Sequence, residues 1–190
     1  RPAPTPFPRW SIHCAPRDLG GDAKPAPVRT FRFDAWTGGE WRNLPAARAE
    51  ISGRSEEPFP IQWAAMADTI RGTLIAGGWQ SLAPWGSNAA LLWLLPSTPI
   101  DELPVLPKFH QGHAPALTFV HPLDTRTRIV LRLWHVANVI EDGTSPRVLP
   151  LWAGMITTER ARSELGLMET TRTSDVATQA GVALGPALRD

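Results

Sequence analysis

Three strand patterns joined by short polar turns dominate the second half of the chain. They are ALTFVHP (116–122), RIVLRLWHVANVI (128–140) and VLPLWAGMITTER (148–160), separated by LDTRT and EDGTSPR. Turns this short connect antiparallel neighbours, because a parallel crossover needs about a dozen residues or more. The sequence therefore predicts a three-stranded antiparallel meander.

The first half mixes short strand patterns with one helical pattern. Strands are predicted in VRTFRFDAW (28–36), in WRNLPAARAEISG (41–53) and in FPIQWA (59–64). MADTIRGTLIAGG (66–78) has helical spacing and ends at a Gly-Gly pair that is typical of a helix C-terminus. SNAALLWLLP (87–96) is either a short buried helix or a surface for a partner.

This order of elements predicts an α+β fold, a mostly antiparallel sheet with one or two helices packed on one face. We expect a Pro-rich linker or irregular lead over residues 1–27, one domain over 28–165, and an irregular or frayed tail over 166–190. The Pro-rich start, which lacks an initiator Met, suggests a soluble domain cut or processed from a longer protein and tethered to something upstream.

Composition excludes some classes of function. The net charge is +1, so there is no bulk electrostatic argument for nucleic-acid binding. The single cysteine, Cys14, excludes an internal disulfide. The longest apolar run, residues 89–95, is far shorter than the roughly 20 residues that span a bilayer.

Two arginines lie inside the central strand. Arg128 and Arg132 alternate onto one face with Trp134, opposite the apolar row of that strand. One interpretation is a solvent-exposed sheet face, which antiparallel sheets commonly have. The other is an anion-binding site, because a guanidinium donates two parallel hydrogen bonds to a phosphate or carboxylate. The candidate ligand-binding residues are Arg128, Arg132, Trp134, His110 and Arg160.

The nine tryptophans allow a second candidate surface. Trp85, Leu92 and Trp93 lie in an apolar stretch that fits either a buried helix or contact with a membrane or a partner.

No catalytic residue, cofactor or metal site follows from the motifs. His110, His113 and His121 are close in sequence, but no nearby Cys completes a ligand set, and solvated loop histidines are the favoured interpretation. Glu56 and Glu57 are adjacent, so a strand would direct them to opposite faces.

Several segments resemble the LssY C-terminal domain family. They are LPAARAEISGRSEEPFPIQWAA, IRGTLIAGGWQ, LPVLPKFHQGHAPALTFVHP, VLRLWHV and PLWAGMITTER, and they cover residues from about 36 to about 162. Many members of that family carry a histidine before the central arginine of the RLW strand. Here Val130 or its neighbours occupy that stretch instead.

The resemblance implies the C-terminal domain of a multi-pass bacterial membrane protein. In the family, DedA-type segments or a lipid-phosphatase module precede the domain, so we expect membrane attachment and a link to undecaprenyl-phosphate or phospholipid metabolism. The expected role is a non-catalytic accessory domain that binds an anionic lipid headgroup or docks on its own membrane module. A hydrolase acting on a phosphate ester and an oligomerisation or scaffold module stay open as alternatives.

Overall fold

A computed structural model describes residues 29–82, 100, 103–106, 108–141, 146–164, 168–175 and 184. In chain order the elements are β1 (Thr30–Arg32), α1 (Phe33–Gly38), a 3-10 helix (Glu40–Asn43), β2 (Ala47–Ala49), β3 (Ser55–Pro58), β4 (Ile61–Ala64), α2 (Ala67–Ala76), β5 (Gln80–Ser81), β6 (Leu117–Asp124), β7 (Thr127–Glu141), β8 (Arg147–Glu164) and β9 (Met168–Asp175).

One seven-stranded sheet organises the described residues. Strands β4, β8, β7, β6 and β5 lie side by side in that order, β9 pairs with β8, and β1 pairs with β7. All of these pairs are antiparallel except β1 with β7, which is parallel. Strands β2 and β3 form a separate antiparallel pair. The predicted α+β class and the antiparallel meander are confirmed.

Helix α2 covers one face of the sheet with its apolar stripe. Ile70 and Leu74 are four residues apart, so they lie on the same side of the helix, and both are fully buried. They join the core formed by Phe119, Leu131 and other residues of β6, β7 and β8. This is the face that the alternation in β7 assigned to the core.

A Schellman motif ends α2 and turns the chain back toward the sheet. Gly78 has φ 82, its N–H donates to the Ile75 carbonyl, and the Trp79 N–H donates to the Leu74 carbonyl. Glycine occupies this left-handed position at little steric cost. The predicted helix and its stop are confirmed.

Three segments differ from the predicted secondary structure. A strand was predicted over 41–53, but its start lies in the 3-10 helix Glu40–Asn43. Residues 33–38 form helix α1 rather than continuing a strand, and Phe33 and Trp36 meet on one side with ring centroids 5.7 Å apart. A six-residue segment is too short for its apolar spacing to distinguish the two periods. An irregular or frayed tail was predicted over 166–190, but β8 continues to Glu164 and Met168–Asp175 forms β9. The sequence METTRTSD lacks apolar alternation, so it gave no strand signal.

The predicted short helix over 87–96 lies outside the described residues, as does the lead over 1–27. The domain boundaries at 27 and 165 stay predictions. Among the described helices, none has the length and hydropathy that crossing a bilayer requires.

Gly154 on β8 provides a test of how closely β7 and β8 approach. A β-carbon there would lie 2.4 Å from Cδ2 of the buried Leu133 and 3.2 Å from the Arg132 carbonyl oxygen. We expect Gly154→Ala to lower the free energy of unfolding by about 1–3 kcal/mol through overpacking. Denaturant unfolding measures this change.

The matched control is Gly72→Ala in the interior of α2. No atom lies within 4 Å of the added methyl group, and the residue is exposed. This variant should gain about 0.5–1 kcal/mol, because alanine favours the helix more than glycine does. Equal effects at the two positions would contradict the described packing of β7 against β8.

Candidate functional site

A buried ion cluster lies on the sheet face opposite α2. Glu159 accepts hydrogen bonds from Arg128 Nε at 3.0 Å and Nη2 at 2.8 Å through one oxygen, and from Arg132 Nη2 at 2.8 Å through the other. Arg132 Nη1 also donates to Thr157 Oγ1 at 3.0 Å. Arg128 and Glu159 are directly opposite in the register of β7 and β8. The sheet therefore aligns all four side chains on one face.

The segment that precedes β6 closes this cluster from solvent. Arg128 donates to the Ile100 carbonyl at 2.5 Å, to the Leu103 carbonyl, and to the Pro104 carbonyl at 3.2 Å. Arg132 donates to the Leu106 carbonyl at 3.2 Å. The two arginines are thus the donors to four backbone carbonyls of one irregular segment.

The cluster is fully desolvated. Arg128, Arg132 and Glu159 are 0%, 1% and 2% exposed. Burial lowers the pKa of Arg132, whereas the negative charge of Glu159 opposes that shift. Arg132 Nε is a buried polar atom with no hydrogen-bond partner among the described residues. The geometry stabilises two positive charges with one carboxylate, a hydroxyl and several carbonyl dipoles.

The predicted solvent-exposed face is wrong. Arg128, Val130, Arg132 and Trp134 do share one side of β7, but each of them is buried. Alternation in a strand gives the side on which a residue lies, not whether a distant segment covers that side. The proposed ligand-binding role of the two arginines stays a prediction. Such a ligand would have to replace Glu159 or the carbonyls of the covering segment.

Trp134 continues the row of Arg128 and Arg132 along β7, and the His110 ring lies beside it, with ring centroids 6.3 Å apart. The Trp134 indole N–H donates to the His113 carbonyl at 3.0 Å, and both rings pack around Phe59. The Ala49 N–H donates to His110 Nδ1 at 3.1 Å. Nδ1 therefore acts as an acceptor in the neutral ring, with the proton on Nε2.

Burial lowers the pKa of His110, and the positive charge of Arg48 lowers it further. The hydrogen bond from the Ala49 N–H acts in the same direction, since a protonated Nδ1 cannot accept it. His110 is thus held as a neutral structural acceptor rather than as a free surface histidine.

A cleft of about 620 Å³ opens near His110, between the β2–β3 turn and residues 108–112. Gln111 N–H donates to the Ala49 carbonyl at 2.7 Å, which fixes the two segments against each other. Ile51 and Phe109 line the cleft and are 86% and 48% exposed. The cleft thus has an apolar rim, formed by these two side chains, beside charged lining residues.

Two cations that line the cleft, Arg48 and Lys108, share Glu57 as a counterion. Glu57 accepts from Arg48 Nε at 2.6 Å through one oxygen and from Lys108 through the other, and Arg48 also donates to the Phe109 carbonyl at 2.7 Å. Burial alone would raise the pKa of Glu57, but the two cationic donors lower it to about 2. Glu57 is therefore ionised at neutral pH and engages both cations.

The remaining predicted site residues do not join this region. Arg160 is exposed on β8 and lies near Asp124, whose lowered pKa owes most to the Arg126 N–H that donates to it. His121 contacts Gly78 and packs on Trp79. Trp85, Leu92 and Trp93 lie outside the described residues. Within the described part of the chain, no group of three or more His, Cys, Asp or Glu residues could hold a metal ion.

Sequence reasoning missed Glu159, Arg48 and Ile51. A signal for Glu159 was present, because alternation along β8 places it on the same row as Ala153 and Met155. Arg48 and Ile51 gave no such signal, since the contacts of Arg48 with Phe109 and of Ile51 with Gly112 join residues about 60 positions apart.

The ion cluster makes a direct prediction for Glu159→Gln. This change leaves two buried guanidiniums without a counterion. We expect it to destabilise the fold by about 3–5 kcal/mol, as breaking other buried ion pairs does. Urea unfolding followed by circular dichroism checks this. Glu40→Gln, at an exposed position, should stay within about 0.5 kcal/mol of the native chain. A similar small change at Glu159 would contradict the cluster.

His110 predicts a stability that depends on pH. Its pKa is lower in the folded state than the ordinary 6.5, so the unfolded chain takes up the proton first. The free energy of unfolding therefore does not depend on His110 above about pH 6.5, and it decreases as the pH falls below that value. Unfolding at pH 7.5, 6.5 and 5.5 measures the slope.

The control variant is His110→Gln, which retains an amide oxygen acceptor and cannot titrate. The slope between pH 7.5 and 5.5 should be shallower in this variant than in the native chain. An unchanged slope would assign the pH dependence to other groups.

Comparison with known proteins gives one family and no individual relative. Neither the curated proteins nor the solved structures contain a significant match. The family described as LssY C-terminus matches residues 41–175, which include the cleft beside Lys108, the ion cluster and β9. Because this match covers well over half of the 190 residues, the chain belongs to the LssY C-terminal family.

Proposed function

We propose that this chain is a non-catalytic accessory domain of a bacterial membrane protein linked to lipid-phosphate metabolism. Its role is to dock on the membrane module of the same protein. The family membership supports the setting, because the resemblance implies membrane segments or a lipid-phosphatase module upstream. The cleft between the β2–β3 turn and residues 108–112 supports the docking role.

The observation that carries the docking role is the apolar rim of this cleft. Ile51 is 86% exposed and Phe109 is 48% exposed, and both line the cleft. Leu106, three residues before Phe109, is also 50% exposed. Single exposed apolar residues are common, but a group around one concave opening is typical of a contact surface. Covering these side chains would remove their apolar surface from water.

Charge favours docking over headgroup binding at this cleft. Both cations that line the cleft already contact carboxylates: Arg48 contacts Glu56 and Glu57, and Lys108 contacts Glu57. A lipid phosphate would therefore have to displace Glu57 from Lys108 or Arg48. Arg128 and Arg132, the guanidiniums first considered for an anion, already contact Glu159. The exposed apolar side chains of Ile51 and Phe109 are therefore the part of this surface available to a partner.

Site-specific photo-crosslinking in the complete gene product tests the proposal. A photoreactive amino acid at Ile51 or Phe109 should crosslink to membrane-embedded segments of the same protein in isolated membranes. Mass spectrometry identifies the joined peptides. Recovery of the gene product from the soluble fraction would already contradict a membrane setting.

The matched control is the same label at Val148, which is 57% exposed on β8 outside the cleft. This position should give few crosslinks to the membrane module. Crosslinks from Ile51 to lipid alone would replace docking by membrane-surface or headgroup contact. Equal crosslinking at Ile51 and Val148 would overturn the assignment of the cleft.

A further inference from the structure

A second cleft, separate from the docking cleft, is lined by aromatic rings. It measures about 280 Å³ and is formed by Trp36 and Thr37 of α1, Trp41 of the 3-10 helix, and residues 59, 60 and 62 beside β4. Trp41 is 43% exposed. None of these residues belongs to the ion cluster or to the cleft beside Lys108.

Hydrogen bonds hold the walls of this aromatic cleft in place. The Trp36 indole N–H donates to Gln62 Oε1 at 2.9 Å, and Gln62 Nε2 donates to the Trp41 carbonyl at 3.1 Å. The Arg42 guanidinium stacks 4.5 Å from the centre of the Trp41 ring. The cleft is thus preorganised, which reduces the entropy lost when a ligand binds.

Aromatic walls around a surface cleft suit one kind of ligand in particular. Grooves lined by aromatic side chains bind proline-rich segments in the polyproline II conformation, because the rings pack against preformed, low-entropy proline ridges. The chain itself contains such a segment, RPAPTPFPRW, in which Pro2, Pro4, Pro6 and Pro8 alternate with other residues.

The chain enters the described fold next to this cleft. Arg29 Nη1 donates to the Asn43 carbonyl at 3.2 Å, and the Arg29 carbonyl accepts from the Asn138 N–H at 2.8 Å. Asn43 is two residues from Trp41 in the 3-10 helix. Arg29 therefore lies beside the 3-10 helix that carries Trp41.

We propose that the proline-rich segment 1–10 binds in this aromatic cleft of its own chain. Residues 11–28 can span roughly 55 Å at about 3.1 Å per residue, so reach does not limit the contact. Tethering gives the segment an effective concentration on the order of a millimolar, so weak intrinsic affinity suffices. Docking would fix the direction in which the chain leaves the domain, whatever precedes it.

The single cysteine provides the first test. A nitroxide on Cys14 places a paramagnetic probe four residues after Trp10 in the otherwise unchanged chain. We expect the indole N–H signals of Trp36 and Trp41 to broaden. The signal of Trp79, before β5 at the far edge of the sheet, should not. Absence of broadening at Trp36 and Trp41, or equal broadening at Trp79, would overturn the proposal.

Replacing Pro4, Pro6 and Pro8 together with alanine tests the chemistry without altering the described fold. The broadening at Trp36 and Trp41 should be lost in this variant. Broadening that persists in this variant would show a contact that does not depend on proline, and would overturn recognition of a polyproline II segment. Broadening that disappears on dilution would assign the contact to a second copy of the chain and would also overturn docking within one chain.

Trypsin gives an independent readout at the Arg9–Trp10 bond. Cleavage should be about tenfold slower in the native chain than in Trp41→Ala, the ratio for a millimolar effective concentration and a Kd of about 0.1 mM. Phe109→Ala, an exposed aromatic of the other cleft, is the matched control and should be cut at the native rate. Equal rates for the native chain and Trp41→Ala would contradict the proposal.

Discussion

The contact of Arg128 and Arg132 with Glu159 determines how one face of the sheet is closed. Taking two guanidiniums out of water is expensive unless a counterion and further acceptors are present. Glu159 supplies the charge, and the carbonyls of residues 100–106 supply the remaining acceptors. The irregular segment over this face is therefore held by side chains of the central strands.

The two arginines also supply hydrogen-bond donors to the segment that covers them. Residues 99–107 contain three prolines, which have no N–H, and form no strand or helix in their described part. Their carbonyls still need donors when they are buried. An arginine carries five N–H donors in a planar fork, so two arginines can satisfy several carbonyls and bind one carboxylate. Apolar residues of similar size would fill the space and leave those carbonyls unpaired.

Elements with a regular spacing of apolar residues could be predicted from the sequence. Contacts between residues far apart in the chain could not. Helix α2, with Ile70 and Leu74 and its Gly77-Gly78 stop, and the meander β6–β8 follow from spacing and short turns. Strand β9 has no apolar alternation in its sequence, so its pattern did not predict a strand. Its position follows from backbone pairing with β8. The pairing of Arg128 with Glu159 needs the register of two long strands, which alternation alone does not fix.

The same distinction explains why the candidate clefts were not predicted. Each cleft is formed by short segments that only the fold brings together: the β2–β3 turn with residues 108–112, and α1 with the start of β4. The buried cluster fixes the segment before β6, and that segment continues into Lys108 and Phe109. Loosening Glu159 should therefore affect the rim of the docking cleft as well as the stability of the fold. The aromatic cleft is attached to the sheet through Gln62 and Arg29, and Phe59 links it to Trp134 and His110. It should therefore respond less than the docking cleft does.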